Sequence, residues 1–412
     1  MPSGSAAAAC VGGRYLQGIV ARCRLRRWLV HAIDRAAPRL FPPSVVLMPP
    51  SSAAAVRSLC TLVVPVAAGM FTLTACSAGG DAPSTSGDSA ARVVAESAPA
   101  PAAAPAPQPA PGDTTLLAGR TGMDQRSYAT AIRVGNAAMA KWPTREAAAG
   151  ALLPGRRIIA YYGNPHSKKM GVIGEYPEEQ MLGMLDKTVA EWNAADPATP
   201  VMPAIHLVTV VAQGAPGADR MWRRREDSSM IERTYRWAQS RKGVLFLDIQ
   251  ASHSTLQQEL PPLLPYLARP DVHLGVDPEF YMHHDKEGVR PSAKIGQMKA
   301  ADINYVIQTL DRLVTEKNLP PKVLVVHRFT RLMVPDAEAI RPTRNVQVVM
   351  HMDGWGPPWL KFDSYNHYIV QHPVDFTGFK LFYHNDTKKG DALLTPRELL
   401  RLSPKLSYIQ YQ

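Results

Sequence analysis

Two carboxylates stand two residues apart at Asp277 and Glu279, inside the stretch HLGVDPEF at 273–280. Taken as a strand, the stretch alternates: Leu274 and Val276 face one way, while His273, Gly275, Asp277 and Glu279 face the other. A pair held this way stays close. Mutual repulsion then raises one pKa and leaves a protonated acid beside an ionised partner. Cleavage of a glycosidic bond uses that combination, an acid to protonate the leaving oxygen and a charge to stabilise an oxocarbenium-like state.

Other polar residues recur where apolar runs stop. Asp248 and Gln250 end the run at 244–250, His327 the run at 322–329, and His351 and Asp353 the run at 346–353. Lys380 sits between Phe379 and Leu381, and Tyr162 and Asn164 close the run at 157–162. Each has inward parity if its apolar neighbours face helices. Charge from several strands converging on one mouth is costly to bury, so the set as a whole reads as functional. His206 and His273 read as packed core histidines. The run Arg223-Arg224-Arg225 reads as a solvated loop, and His283-His284 as loop decoration. Trp355 and Trp359, among Gly354, Gly356 and Pro357-Pro358, form a loop whose aromatics could stack on a sugar face.

The elements that must position these groups alternate. Strand-like runs at 157–162, 204–211, 244–250, 272–280, 322–329, 346–353, 379–383 and 406–411 are separated by helical patterns at 178–194, 228–239, 255–267, 300–317 and 395–402. Eight strands alternating with helices predict an α/β fold, a single (β/α)8 TIM barrel spanning 119–412. No G-x-G-x-x-G follows the first strand, where YYGNPHSKKMG stands, which disfavours an open dinucleotide-binding sheet. The chain ends just after the eighth strand, so the helical pattern at 124–149 is expected to stand in for the last helix. In such a barrel the active site lies at the C-terminal ends of the strands.

The D-x-E ending the fourth strand resembles the end of the motif in chitinase-like glycoside hydrolases, and is similar to the D-x-E of a bacterial and phage lysozyme family with a related barrel. The stretch Met350-His351-Met352-Asp353-Gly354 echoes the chitinase pattern M-x-Y-D. The resemblance implies that Glu279 is the general acid, that Asp277 orients it and stabilises an intermediate, and that Asp353 helps to hold the reacting sugar. Only the last two acids of the four-acid chitinase motif are present, with Gly275 and His273 standing before them, and Met352 stands where the M-x-Y-D pattern has tyrosine. Asp353, Asp248 and His351 would position substrate, with Asp353 or Asp248 able to supply the second carboxylate. Gln250, His327, Lys380, Tyr162 and Trp355 would line the sugar subsite.

No cofactor is expected on this reading. A second reading is a metal-dependent barrel hydrolase or isomerase, since Asp248, Asp277, Glu279, His327, His351 and Asp353 are all legitimate ligands for Zn²⁺, Mn²⁺ or Mg²⁺. A third is a non-catalytic carbohydrate-binding protein.

All four cysteines lie at or before Cys76, which excludes disulfides and thiolate metal sites from the rest of the chain. The net charge of +11 is concentrated early: residues 1–75 hold eight arginines and one acid, leaving 38 basic against 34 acidic residues of the 46 and 35 in the whole chain. Nucleic acid is therefore not an expected partner. Arg57 precedes an uncharged apolar run ending Leu73-Thr74-Ala75-Cys76, which resembles a bacterial lipoprotein box. The expected organisation is an over-extended start at 1–47, a lipoprotein signal at 48–75, an Ala/Pro/Ser-rich tether at 76–118 and the barrel. The protein is thus expected to be exported and anchored in the cell envelope through lipid on Cys76, with a polysaccharide or oligosaccharide as its substrate.

Overall fold

The computed structural model describes residue 117 and residues 119–412 apart from 145 and 287. The expected signal segment, Cys76 and the tether lie outside the described residues. Among the described residues, no helix is long and apolar enough to cross a membrane.

The core is a closed barrel of eight parallel strands: β1 (Arg157–Gly163), β2 (Val201–Ala212), β4 (Val244–Ile249), β5 (Val272–Val276), β6 (Lys322–Arg328), β7 (Val346–Met352), β8 (Phe376–Leu381) and β9 (Leu406–Tyr411). Each pairs with the next, and β1 pairs in parallel with both β2 and β9, which closes the ring. A ninth strand, β3 (Arg223–Arg225), lies antiparallel on the end of β2. The run of three arginines is thus a strand rather than the expected solvated loop. Arg223 and Arg225 each bond the buried carboxylate of Glu259 at 2.7 Å, which fixes a strand that has no apolar face of its own.

Barrel strands are buried on both faces, which explains their near-continuous apolar composition. Ile159, Tyr161, Ile205, Leu247, Leu274, Leu324, Val348 and Ile409 pack outward against the helices. Ile158, Ala160, Phe246, Val325, Val349 and Tyr408 form a separate inner cluster. Leu153, on the segment before β1, joins that inner cluster and is held by Gln347, which donates to its carbonyl at 2.6 Å and accepts from its amide. This closes the N-terminal end of the barrel.

The helices have local causes. α2 (Glu178–Ala195) begins with two acidic residues and buries Met181, Leu182, Leu185, Thr188 and Trp192 along one stripe. α3 (Ser228–Ser240) is capped by Asp227, whose side chain accepts from the Met230 amide at 2.9 Å. α4 (Ala300–Lys317) stops at Asn318, which takes the left-handed conformation ahead of Pro320 and Pro321. The helix expected at 255–267 is instead broken into short turns by Pro261, Pro262 and Pro265, which cannot supply backbone donors. The one expected at 395–402 is a single turn, Pro396–Leu399.

Helix α1 (Gly122–Ala138), which precedes the barrel strands, lies on the outside of the barrel. It packs against α5 (Pro358–Tyr365), where Tyr128 meets Phe362, and the Tyr128 hydroxyl donates to the Glu398 carbonyl at 2.7 Å. Gly135 lies against the backbone of Ser403, where a Cβ would fall 2.0 Å from the carbonyl oxygen.

Candidate active site

Inward positions of the strands are mostly apolar toward the N-terminal end, His273 and Gln347 apart, and polar toward the C-terminal end. Tyr162, His206, Asp248, Gln250, Asp277, His327, His351, Asp353, Lys380 and Gln410 are all buried there. The expected site residues, apart from Glu279 and Trp355, thus lie within one polar interior.

Asp353 stands at its centre. Its Oδ2 meets His327 Nδ1 at 2.7 Å and its Oδ1 meets Lys380 Nζ at 2.9 Å. Lys380 also lies over the Tyr162 ring, 3.9 Å from its centroid. Burial alone would favour a neutral Asp353, but Lys380 and His327 outweigh it and hold the carboxyl well below the usual range. Asp248 behaves alike: against burial, His327 and His206 keep it ionised. His327 is the counterpart. Burial opposes its charge, yet Asp248 and Asp353 push its pKa up to about 10. At His351 burial dominates, the His327 charge adds to it, and together they outweigh the opposing Asp353 carboxylate and hold that ring neutral.

Asp277 and Glu279 are arranged otherwise than expected. β5 ends at Val276, and Pro278 opens a 3₁₀ turn, Pro278–Phe280, so Glu279 does not alternate from a strand. Proline fixes the backbone for a turn and removes the donor that a strand would need. Asp277 caps this turn: its Oδ1 accepts from the Glu279 amide at 3.0 Å, and its Oδ2 accepts from Gln250 at 3.1 Å. From the other side, the Gly296 amide donates to the Glu279 carbonyl at 2.6 Å. A side chain at 296 would collide with that turn, 2.6 Å from the Pro278 oxygen. The turn that carries Glu279 is therefore pinned on both sides.

Glu279 as a residue is partly buried at the C-terminal end of β5, and its carboxyl lies within electrostatic reach of the buried Asp277 and Asp353. Burial raises the Glu279 pKa to about 8, with the charges of Asp277 and Asp353 adding to it. Asp277 is raised to about 7, chiefly by burial and then by Asp248 and Asp353. The mouth thus holds carboxyls that keep their protons near neutral pH beside one, Asp353, that gives its proton up.

Three residues of the interior were not singled out for the site by sequence reasoning. As the sequence implies for a core histidine, His206 stacks on Phe246 at 5.1 Å, but its Nε2 also faces Asp248 Oδ1 at 3.5 Å. Tyr408 and Gln410 on β9 hold the other side of that ring, the Tyr408 hydroxyl at 2.6 Å and Gln410 Nε2 at 3.1 Å from His206 Nδ1. Their alternation with Ile409 and Tyr411 was the available signal. His273 lies at the far end of the barrel, where it accepts from the Val323 amide at 3.2 Å. Asn164 braces β1 by donating to Val208 and Glu226.

Trp355 differs from the buried set, being 56% exposed on the loop after β7. Beneath that loop, buried Lys361 bonds the Gly354 carbonyl at 2.8 Å and pairs with Asp386 at 2.8 Å, while Asp386 accepts from the Gly356 amide at 2.9 Å. Trp359 belongs to α5 rather than to the loop.

Among the described residues, two groups of three offer donor atoms within 4.8 Å of one another: His206, Asp248 and His327, and His327, His351 and Asp353. No family model matches the chain, and no curated protein matches it significantly.

Proposed function

We propose that the protein is a glycoside hydrolase acting on an extracellular or cell-envelope polysaccharide, with Glu279 as general acid. The observation that carries this reading is the partly buried Glu279 on a pinned turn at the barrel mouth, its carboxyl within electrostatic reach of the buried Asp277 and Asp353. Glu279 keeps its proton to about pH 8 and can deliver it to a leaving oxygen. Asp353 stays ionised beside Lys380 and His327 and supplies negative charge toward an oxocarbenium-like state. Asp277 holds the turn and joins the electrostatic coupling that keeps Glu279 protonated. Tyr162, Gln250, Asp248, His351 and Lys380 form the polar floor, and Trp355 offers an exposed ring at its rim for a sugar face. By its sequence, the protein is proposed to be exported and held at the membrane by lipid on Cys76.

The test compares wild type with Glu279→Gln on a panel of polysaccharides and on aryl glycosides whose leaving groups need no protonation. Loss of about 100- to 10,000-fold on polysaccharide, with much smaller loss on the activated glycosides, is the expected result. Equal losses on both would remove Glu279 from the acid role. Absence of wild-type turnover on every glycan would favour a carbohydrate-binding barrel. For the anchor, intact-mass analysis of the membrane fraction should find an acylated N-terminus at Cys76; an unmodified start elsewhere refutes it.

A further inference from the structure

We propose that His206, Asp248 and His327 form a three-donor site for a zinc-class divalent cation in the polar interior of the barrel. The proposal is independent of the glycan-cleaving reading and does not involve Glu279. His206 Nε2, Asp248 Oδ1 and His327 Nε2 are fully buried, have no hydrogen-bond partner and converge. Asp248 Oδ1 lies 3.5 Å from His206 Nε2 and 3.6 Å from His327 Nε2. These separations exceed ordinary N–H···O lengths. They are close to the ~3.4 Å between two donors each about 2.1 Å from a tetrahedral zinc.

The surroundings are those of metal-binding histidines, whose second nitrogen is fixed by an outer partner. His327 Nδ1 is held by Asp353 at 2.7 Å, and His206 Nδ1 by the Tyr408 hydroxyl at 2.6 Å. The second oxygen of Asp248 accepts from Tyr162 at 3.3 Å. Glycine at 275 keeps carbon out of the space between donors, since a Cβ there would lie 2.3 Å from Asp248 Oδ1 and 2.6 Å from His206 Nε2. The neighbouring group of His327, His351 and Asp353 is a poorer host, because both Asp353 oxygens are already engaged and Lys380 would repel a cation there. Two imidazoles and one carboxylate suit zinc rather than magnesium or calcium, which prefer oxygen donors.

The test uses the full chain, stripped with chelator, dialysed and titrated with Zn²⁺ or Co²⁺. The expected result is one ion retained per chain, a visible d–d band for the cobalt form, a rise in Tm with zinc, and X-ray absorption with two imidazole ligands. Asp248→Asn and His206→Asn should each weaken zinc beyond the about 10- to 100-fold typical of losing an outer partner, while His351→Asn keeps it. Should those variants fail to fold, the wild-type cobalt and X-ray absorption spectra decide. No retained ion, no imidazole scattering, or loss of binding in His351→Asn but not His206→Asn would each overturn the proposal.

Discussion

At the scale of single residues, the site separates carboxyls that share one mouth by what surrounds each. Asp353 has a lysine and a histidine against its two oxygens, and Asp277 has an amide and a glutamine. Charged partners in contact therefore ionise Asp353, while burial, reinforced by neighbouring carboxylates, dominates at Asp277 and Glu279. If Glu279 is the acid, turnover should fall as pH rises through about 8, and a pH–rate profile of wild type checks this. Asp353→Asn leaves Lys380 and His327 buried without their shared carboxylate. Breaking a buried pair in this way costs about 3–5 kcal/mol, which urea unfolding should detect. Gly378→Ala would bring a Cβ within 2.5 Å of His351 Nδ1. Overpacking of about 1–3 kcal/mol is the expected loss by the same measurement.

At the scale of elements, short segments rather than long helices aim the mouth. The 3₁₀ turn at Pro278–Phe280 presents Glu279, and the Lys361–Asp386 pair ties the loop bearing Trp355 to the segment after β8. Lys361→Met should loosen that loop by removing its bond to the Gly354 carbonyl and its ion pair. On the proposed function, it and Trp355→Ala should raise KM severalfold with a smaller change in kcat. A matching loss in kcat alone would assign the loop to chemistry instead of substrate holding. The same short range limits what local pattern reveals. Alternation through 273–280 extends the strand to Glu279, but Pro278 turns the chain there and Asp277 becomes a cap. Three arginines in a row look like solvated loop until the distant Glu259 pairs with two of them.

At the scale of the whole molecule, the polar interior couples stability to pH in two directions. Asp248 and Asp353 have depressed pKa values, so their contribution is full above the ordinary carboxylate pKa and is lost as pH falls from there towards their lower folded values. Glu279 and Asp277 have raised values of about 8 and 7, so their contribution is full below the ordinary carboxylate pKa and is lost as pH rises to those values. Glu279→Gln removes the cost of ionising a carboxyl whose pKa burial has raised. It should therefore raise Tm relative to wild type at pH 9, by about 2–4 °C per kcal/mol removed, and leave it nearly unchanged at pH 5. Thermal melts at the two pH values check the sign. The sequence by itself determined the eight-strand alternation and the parity that sends Asp248, His327, His351, Asp353 and Lys380 inward, because strand periodicity is local and a closed barrel repeats it eight times. Tertiary structure alone decided which of these groups meet. That His206 faces Asp248, that Asp353 is shared by His327 and Lys380, and that Gly275 and Gly378 clear room for the rings follow from the register between strands far apart in sequence. The same burial and pairing set which carboxyls keep their protons, since a pKa depends on the charges that closure brings within reach.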